Sequence, residues 1–344
     1  MKRKGYSKVS LGDVAKAAGL SKTSAACALK NLPGVSKETR RRVRHIAKRL
    51  NYFPDPRLTS RMAGIRHTAA KDLLPVIWLN SNREKNAWQK YKFLSPYLEG
   101  ARERCLQLGY KIEEIWARDP EFSMRRIARI IENQGIEGII ITDPARHVRL
   151  HWERLAGVSI GGGLLVPHLH QVTTDVAFNL TQTFKALKRM GRRRIGLCMT
   201  EQADSFSHHD VRAVTLYFNS TIPKAHRMEP LFTPYTMKPE MDTSVVAAWI
   251  KRQKPDAIIG LSSRLIEWVE AAGLRVPQDV AVAHLAIEDD VLDWAGIYAN
   301  KREMGRLAAD KLISLITSRQ FGIPAIASTT LVPGIWSPGR TVLS

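Results

Sequence analysis

The stretch 15–31, AKAAGLSKTSAACALKN, constrains the fold more than any other part of the chain. Small residues crowd both sides of a single Gly-Leu-Ser break, and no acidic residue interrupts them. Upstream, Ser10 followed three residues later by Asp13 is helix-start chemistry: the hydroxyl accepts a free amide and the carboxylate reaches back. Leu11, Val14, Ala15 and Ala18 then share one helical face. Gly19 stops the helix, because glycine alone enters the left-handed region cheaply. Ser21 caps a second helix running to about Leu32, with Ala25, Ala28, Leu29 and Leu32 inward and Lys22, Thr23, Ser24 and Lys30 outward. Two helices crossing steeply over a three-residue turn need small side chains where their backbones approach. After Pro33-Gly34, Ser36 caps a third helix with Val43, Ile46, Ala47 and Leu50 inward. The second helix of such a unit fits the major groove of duplex DNA, its first turn reaching base edges.

Charge points the same way. The chain of 344 residues carries a formal net charge of +21, and residues 1–66 hold 17 Lys/Arg against 3 Asp/Glu. Two thirds of the excess thus lies in the first fifth of the sequence, a concentrated field that attracts a polyanion through counterion release. The start MKRKGYSK leads into an amphipathic segment and not an apolar run, so no signal peptide is expected, and no stretch approaches the roughly 18–20 apolar residues that a membrane span needs. Cys27, Cys105 and Cys198 form no CxxC, which argues against a zinc ribbon or a disulfide framework and for a reducing cytoplasm.

At this point specific motifs appear. DVAKAAGLS, KTSAACALK, VSKETRRRV and LNYFP follow one another over about 50 residues. Together they resemble the DNA-binding domain of the lactose/galactose repressor (LacI/GalR) family. The resemblance implies a helix-turn-helix domain over 1–54, a hinge helix and linker over 55–70, and a homodimer on a near-palindromic double-stranded operator. It places Ser10, Ser21, Lys22, Thr23, Ser24, Lys30, Asn31, Ser36 and Tyr52 at the DNA. It also implies a minor-groove wedge in the hinge, which falls at Met62 or Leu58. One departure stands out: Ala25-Ala26-Cys27 replaces the family's Val-Ser-Arg, so a different operator consensus is expected.

From residue 71 the texture changes to apolar strands alternating with amphipathic helices, which implies parallel sheets covered on both faces. RRRIGLCMT, PDAIIGLSSRLIEW and NKREMGRLAADKLISLI resemble the same family's core. The expected architecture is an N-terminal all-α helix-turn-helix domain plus an α/β periplasmic-binding-protein-like core of two doubly wound parallel-sheet lobes. Lobe 1 would hold about 71–172 and 299–325, and lobe 2 about 173–298 and 326–344. A small-molecule effector is expected in the cleft at the strand ends. The family's gripping arginine falls near Arg212, but its two hydroxyl-accepting aspartates fall at Ser263 and Ala286, which weakens recognition of a sugar held in the usual way. Asn80, Ser81, Asn82, Trp116, His209, Arg212, Ser263 and Asn300 are the candidate effector residues. No HExxH, GxSxG or Walker pattern appears, so no catalytic residue, metal or cofactor is expected. Two alternatives stay open: a regulator that has lost ligand control, and a solute-binding or enzymatic core merely tethered to DNA.

Overall fold

The structure, a computed structural model, describes residues 11–29, 35–50, 73–120, 123–145, 147–234, 243–288 and 291–343. The chain divides into two compact units, one of residues 1–73 with 317–320 and one of residues 74–316 with 321–344.

The first unit holds three helices, α1 (Leu11–Ala17), α2 (Lys22–Leu29) and α3 (Lys37–Arg49). Their starts and stops follow the sequence logic. Ser21 Oγ accepts the Ser24 amide at 3.0 Å, and Ser36 Oγ accepts the Thr39 amide at 3.1 Å, each satisfying an otherwise orphaned helix donor. Gly19 sits at φ +65°, and Arg42 Nη2 donates to the Ala18 carbonyl at 3.2 Å just before it. Val14, Ala18, Ala28, Val43, Ile46 and Ala47 form the small core. Leu29, expected inward, is only half-buried. Ser10, Lys30, Asn31, Tyr52, Leu58 and Met62, the continuation of α2 to Leu32 and the hinge all lie outside the described residues.

The second unit has two six-stranded sheets. The first is built from β1 (Leu74–Asn80), β2 (Tyr110–Trp116), β3 (Gly138–Thr142), β4 (Ala156–Ile160), β5 (His170–Thr174) and β11 (Thr329–Val332), in the order β11-β5-β4-β3-β1-β2 and parallel throughout. The second contains β6 (Ile195–Thr200), β7 (Leu231–Thr233), β8 (Ala257–Gly260), β9 (Ala281–His284), β10 (Gly296–Tyr298) and β12 (Ile335–Ser337), in the order β12-β10-β9-β8-β6-β7. Only β12 runs antiparallel to its neighbour β10 in that sheet.

Successive residues of one strand feed opposite apolar layers, which explains the unbroken apolar runs. Val76 and Trp78 of β1 pack with Leu98, Met304 and Leu312, whereas Ile77 and Leu79 pack with Ile127 and Ile131. The helices responsible are α5 (Ser95–Gln107) and α12 (Lys301–Thr317) on one face and α6 (Met124–Asn133) on the other; a short α4 (Ala87–Lys90) places Trp88 edge-on to Trp78 at 4.9 Å. In the second lobe α7 (Val176–Arg189), α8 (Glu201–Phe206) and α9 (Asp210–Ser220) lie along one face, and α10 (Thr243–Gln253) and α11 (Leu265–Ala271) along the other.

One expected lobe boundary needs correction. Thr329–Val332 pairs in parallel with β5, so residues up to 332 belong to the first lobe and the third crossing lies at Pro333-Gly334, not near 326. The strand was hidden because ASTTLVPG is polar and largely exposed, with no apolar run to mark it. The three crossings are stapled together. The Asp175 amide donates to Val332 O at 3.0 Å, the Gly334 amide to Asn179 Oδ1 at 2.7 Å, and Asn300 Nδ2 to Pro333 O at 2.9 Å.

Candidate functional site

In the helical unit the first turn of α2 presents Lys22 and Thr23 to solvent. Ser24 is half-buried, its hydroxyl bonded to Ser21 Oγ at 2.9 Å, so Ser21 and Ser24 serve the cap as well as any surface role. Ser36 is exposed and likewise tied, to Thr39 Oγ1 at 2.8 Å. Cys27 is half-buried on the same helix. Around them α3 exposes Arg41, Arg42, Arg44 and Arg49. A capped helix with a free polar first turn beside a cationic helix has the parts of a groove reader: cations for phosphates, small polar groups for base edges.

In the core a cavity of about 230 Å³ opens between the lobes. Its walls come from the carboxyl ends of second-sheet strands and from two of the crossings, the position where doubly wound sheets hold ligands. Met199, Leu261, Leu285 and Ala286 arrive from the strand ends, Ala203 and Val211 from α8 and α9, and Val176 and Ala299 from the crossings. The polar contributions are Tyr97, Thr174, Asn179 and Lys301. Among the described residues no carboxylate lines it.

These four polar groups have distinct environments. Lys301, only 6 % exposed, begins α12; its Nζ donates to Phe93 O at 3.3 Å and lies 5.9 Å from the Phe93 and Tyr97 ring centroids. Burial pulls its ammonium down to about 8, an effect that nearby Glu288 opposes. Glu288 is itself held by the amides of Ala299 (2.8 Å) and Lys301 (3.4 Å). The Tyr97 phenol is pushed up by burial, with Asp143 and Glu288 adding to the effect. Thr174 Oγ1 donates to Met304 Sδ at 3.6 Å. Asn179 is 2 % exposed, uses Oδ1 for the Gly334 amide, and has no hydrogen-bond partner at Nδ2 among the described residues.

None of the eight effector residues expected from the sequence lines this cavity. Asn80, Ser81, Asn82 and Trp116 do come together, at the end of the β1–β2 pair. There Asn80 Nδ2 donates to Lys85 O at 2.8 Å, its Oδ1 accepts the Asn82 amide at 3.0 Å, and Trp116 Nε1 donates to Asn82 O at 2.8 Å. They shape a turn. His209 and Arg212 meet around fully buried Asp204, with His209 Nδ1 and Arg212 Nε each 2.8 Å from Oδ2. Ser263 is exposed in the turn after β8, and Asn300, at φ +60°, staples the crossings. The residue expected to be missing its carboxylate, Ala286, is the one that lines the site. Sequence reasoning passed over Lys301 and Asn179 because each sits in the first turn of an amphipathic helix, where a polar residue reads as solvent-facing.

The glycine triplet 161–163 joins the lobes. A Cβ on Gly162 would collide with the backbone carbonyl of Phe206 in α8, while the Gly163 amide donates to Asp143 Oδ1 at 2.7 Å. Among the described residues no helix is long and apolar enough to cross a membrane, and no cluster of His, Cys, Asp and Glu could hold a metal ion.

Two family models match: "Bacterial regulatory proteins, lacI family" over residues 10–55 and "Periplasmic binding protein-like domain" over 184–342. Among relatives, the HTH-type transcriptional regulator MalR of Streptococcus pneumoniae is 28% identical over 192 residues, covering 53% of this chain and 56% of MalR. The match thus spans little more than half of that relative. The HTH-type transcriptional regulator KdgR of Bacillus subtilis is 23% identical over 336 residues, 92% of this chain and 94% of KdgR. Among solved structures, a transcriptional regulator CelR–cellobiose complex superposes with TM-score 0.60 at 18% identity, covering 97% of this chain and 99% of that one. The lac repressor dimer bound to operator and the anti-inducer ONPF gives 0.56 at 16%, covering 98% and 100%. The order of elements and the two parallel-sheet lobes agree with both family models: the chain joins a DNA-binding region that matches the lacI family of bacterial regulatory proteins to a periplasmic-binding-protein-like core.

Proposed function

We propose that this chain is a sequence-specific transcriptional regulator that pairs two helical readers on a near-palindromic DNA operator and whose grip on that operator is set by a small molecule in the interlobe cavity. The observation that carries the reading is the capped first turn of α2, with Lys22 and Thr23 exposed on a unit whose charge is strongly positive. Lys22, Thr23 and Ser24 supply base contacts, and the α3 arginines supply phosphate contacts that fix register. Regulation follows from the stapled crossings. A ligand that favours one angle between the lobes alters the spacing of the two readers in a dimer and so the affinity for the operator. The lac repressor structure, a dimer on its operator, is consistent with such an assembly. Where the operator lies relative to a promoter decides whether binding represses. A cytoplasmic location follows from this role.

The test is selection from random duplex DNA with the full-length protein. A palindromic consensus with half-sites about one helical turn apart, ~10 base pairs, is expected. Salt-sensitive binding with no consensus would instead mark a core that is only tethered to DNA.

A further inference from the structure

We propose that the second lobe carries a phosphate-binding surface of its own, a cationic corner at the amino ends of β6, β7 and β8 that grips the backbone of duplex DNA without reading its sequence. It lies in the core and is built from residues other than those of the α2 reader, so it goes beyond the operator contact proposed above.

The corner shows first as charge. Residues 185–194, 224–229 and 251–256 hold 11 Lys/Arg against 2 Asp/Glu. Residues 67–344 as a whole hold 36 against 29, so outside these segments they hold 25 against 27. The positive excess of the core is confined to the three segments, and the fold brings them together. Arg194, at the start of β6, donates from Nε to Lys254 O at 3.0 Å, from Nη1 to Ala225 O and from Nη2 to Gln253 O. Around this clamp Lys188, Arg189, Arg193, Lys224, Arg252 and Lys254 are exposed. Of the two acids, Asp256 turns both oxygens to the Arg193 and Arg194 amides, at 2.8 and 3.0 Å. Glu229 is then the one exposed carboxylate in the three segments. Helix ends account for part of the pattern: Lys188, Arg189 and Arg252 close α7 and α10, where a cation complements the macrodipole. Arg193 and Lys224 have no such role, and Lys254 holds φ +49°, a left-handed conformation that glycine adopts more cheaply.

The surface chemistry selects among polyanions. No exposed large apolar side chain falls within these segments. A protein partner is met by an apolar centre from which charge is depleted, and an anionic membrane by apolar side chains inserted below the headgroups. Protein–DNA interfaces are polar and strongly positive, and clustered cations on phosphates release the condensed counterions of the duplex. The corner has the second kind of surface.

The experiment measures binding of the full-length protein to a short random-sequence duplex over a series of salt concentrations. A variant with Arg193→Gln, Lys224→Gln, Arg252→Gln and Lys254→Gln is expected to bind at least tenfold more weakly than the parent at low salt, with a shallower fall of affinity as salt rises. A control removes four exposed cations elsewhere in the core, through Arg83→Gln, Lys85→Gln, Arg125→Gln and Arg129→Gln, and should lose less than threefold. Equal losses in the two would reduce the effect to net charge and overturn the proposal, as would unchanged affinity in the first variant. A second measurement needs no variant: excess duplex should slow acetylation of Lys188, Lys224 and Lys254 in the parent at least fivefold more than that of Lys85, read by mass spectrometry. Equal slowing would overturn the proposal. The consensus selected from random duplex should be the same for variant and parent, and a changed consensus would mean that the corner reads bases. Poly-glutamate and phosphatidylserine vesicles are the rival probes. Loss of binding to either in the first variant, with duplex affinity retained, would assign the corner to an acidic protein or a membrane instead.

Discussion

Arg212 Nε donates to Oδ2 of fully buried Asp204 at 2.8 Å, and the guanidinium carbon lies 3.9 Å from the Phe232 ring centroid. The arginine nearest to the family's ligand-gripping position is therefore spent on holding α8 and α9 together. Asp204 also accepts the Arg212 amide at 3.0 Å and faces His209. Asp204→Ala should lower stability by about 3 kcal/mol, because it removes several charge-assisted hydrogen bonds from one buried carboxylate. Urea unfolding measures the loss. Arg212→Ala should leave ligand affinity in the cavity within twofold of the parent; a loss of tenfold or more would return Arg212 to the binding site.

Gly162 controls how closely the lobes meet. A side chain there would press on the Phe206 backbone carbonyl, which cannot swing away as a flexible side chain would. Gly162→Ala is expected to force the lobes apart locally, lower the midpoint of thermal unfolding by several degrees, on the order of 2 kcal/mol, and weaken any ligand-dependent change in operator affinity. Small-angle scattering of variant and parent should show the variant more open. Superimposable curves with an unchanged melting midpoint would mean that the contact is not maintained in solution.

His284 sets an acid limit on stability. Burial holds its imidazole down at about 4, with the Lys301 charge adding to the effect, against an ordinary value of 6.5. Between those values the unfolded chain takes up a proton that the folded chain refuses, so stability is intact above pH ~6.5 and falls as pH drops toward 4, by up to about 3 kcal/mol. In urea unfolding at pH 7.5, 6.0 and 5.0, His284→Asn should show a shallower decline than the parent. Its amide oxygen can replace the acceptor that Nδ1 offers the Ala286 amide at 3.1 Å. Parallel declines would assign the acid sensitivity to other groups.

The cysteines give an inexpensive check on the reader. Burial pushes the Cys105 and Cys198 thiols up to about 12, which leaves almost no thiolate to react at neutral pH. Cys27, half-buried on α2, should be the one thiol modified quickly by a disulfide reagent in the native protein. Excess operator DNA should slow that reaction at least fivefold, and rapid labelling unaffected by operator would argue that α2 faces away from the groove.

Base readout and helix architecture separate by mutation. Lys22→Ala with Thr23→Ala should abolish sequence preference and leave weak, salt-sensitive binding, as read by competition against random duplex. Ser21→Ala should reduce the stability of the helical unit by about 1 kcal/mol through loss of the cap. Operator choice unchanged in the double variant would show that other side chains read the bases.

The sequence by itself determined the helix starts, stops and strand series, because these depend on local chemistry: a serine hydroxyl three residues from an amide, a left-handed glycine, an apolar run such as GIIIT. Ser21, Ser36, Gly19 and β3 needed no partner elsewhere in the chain to be read. What only the tertiary structure decided is which polar groups share a space. Lys301 and Asn179 look like ordinary first-turn residues until the crossings bring α7 and α12 to one cavity, and Arg212 looks like a ligand contact until Asp204 claims it. The polar β11 became a strand only by pairing with β5. Hydrogen bonds and charges act over a few ångströms, and residues more than a hundred positions apart come that close only when the chain has folded.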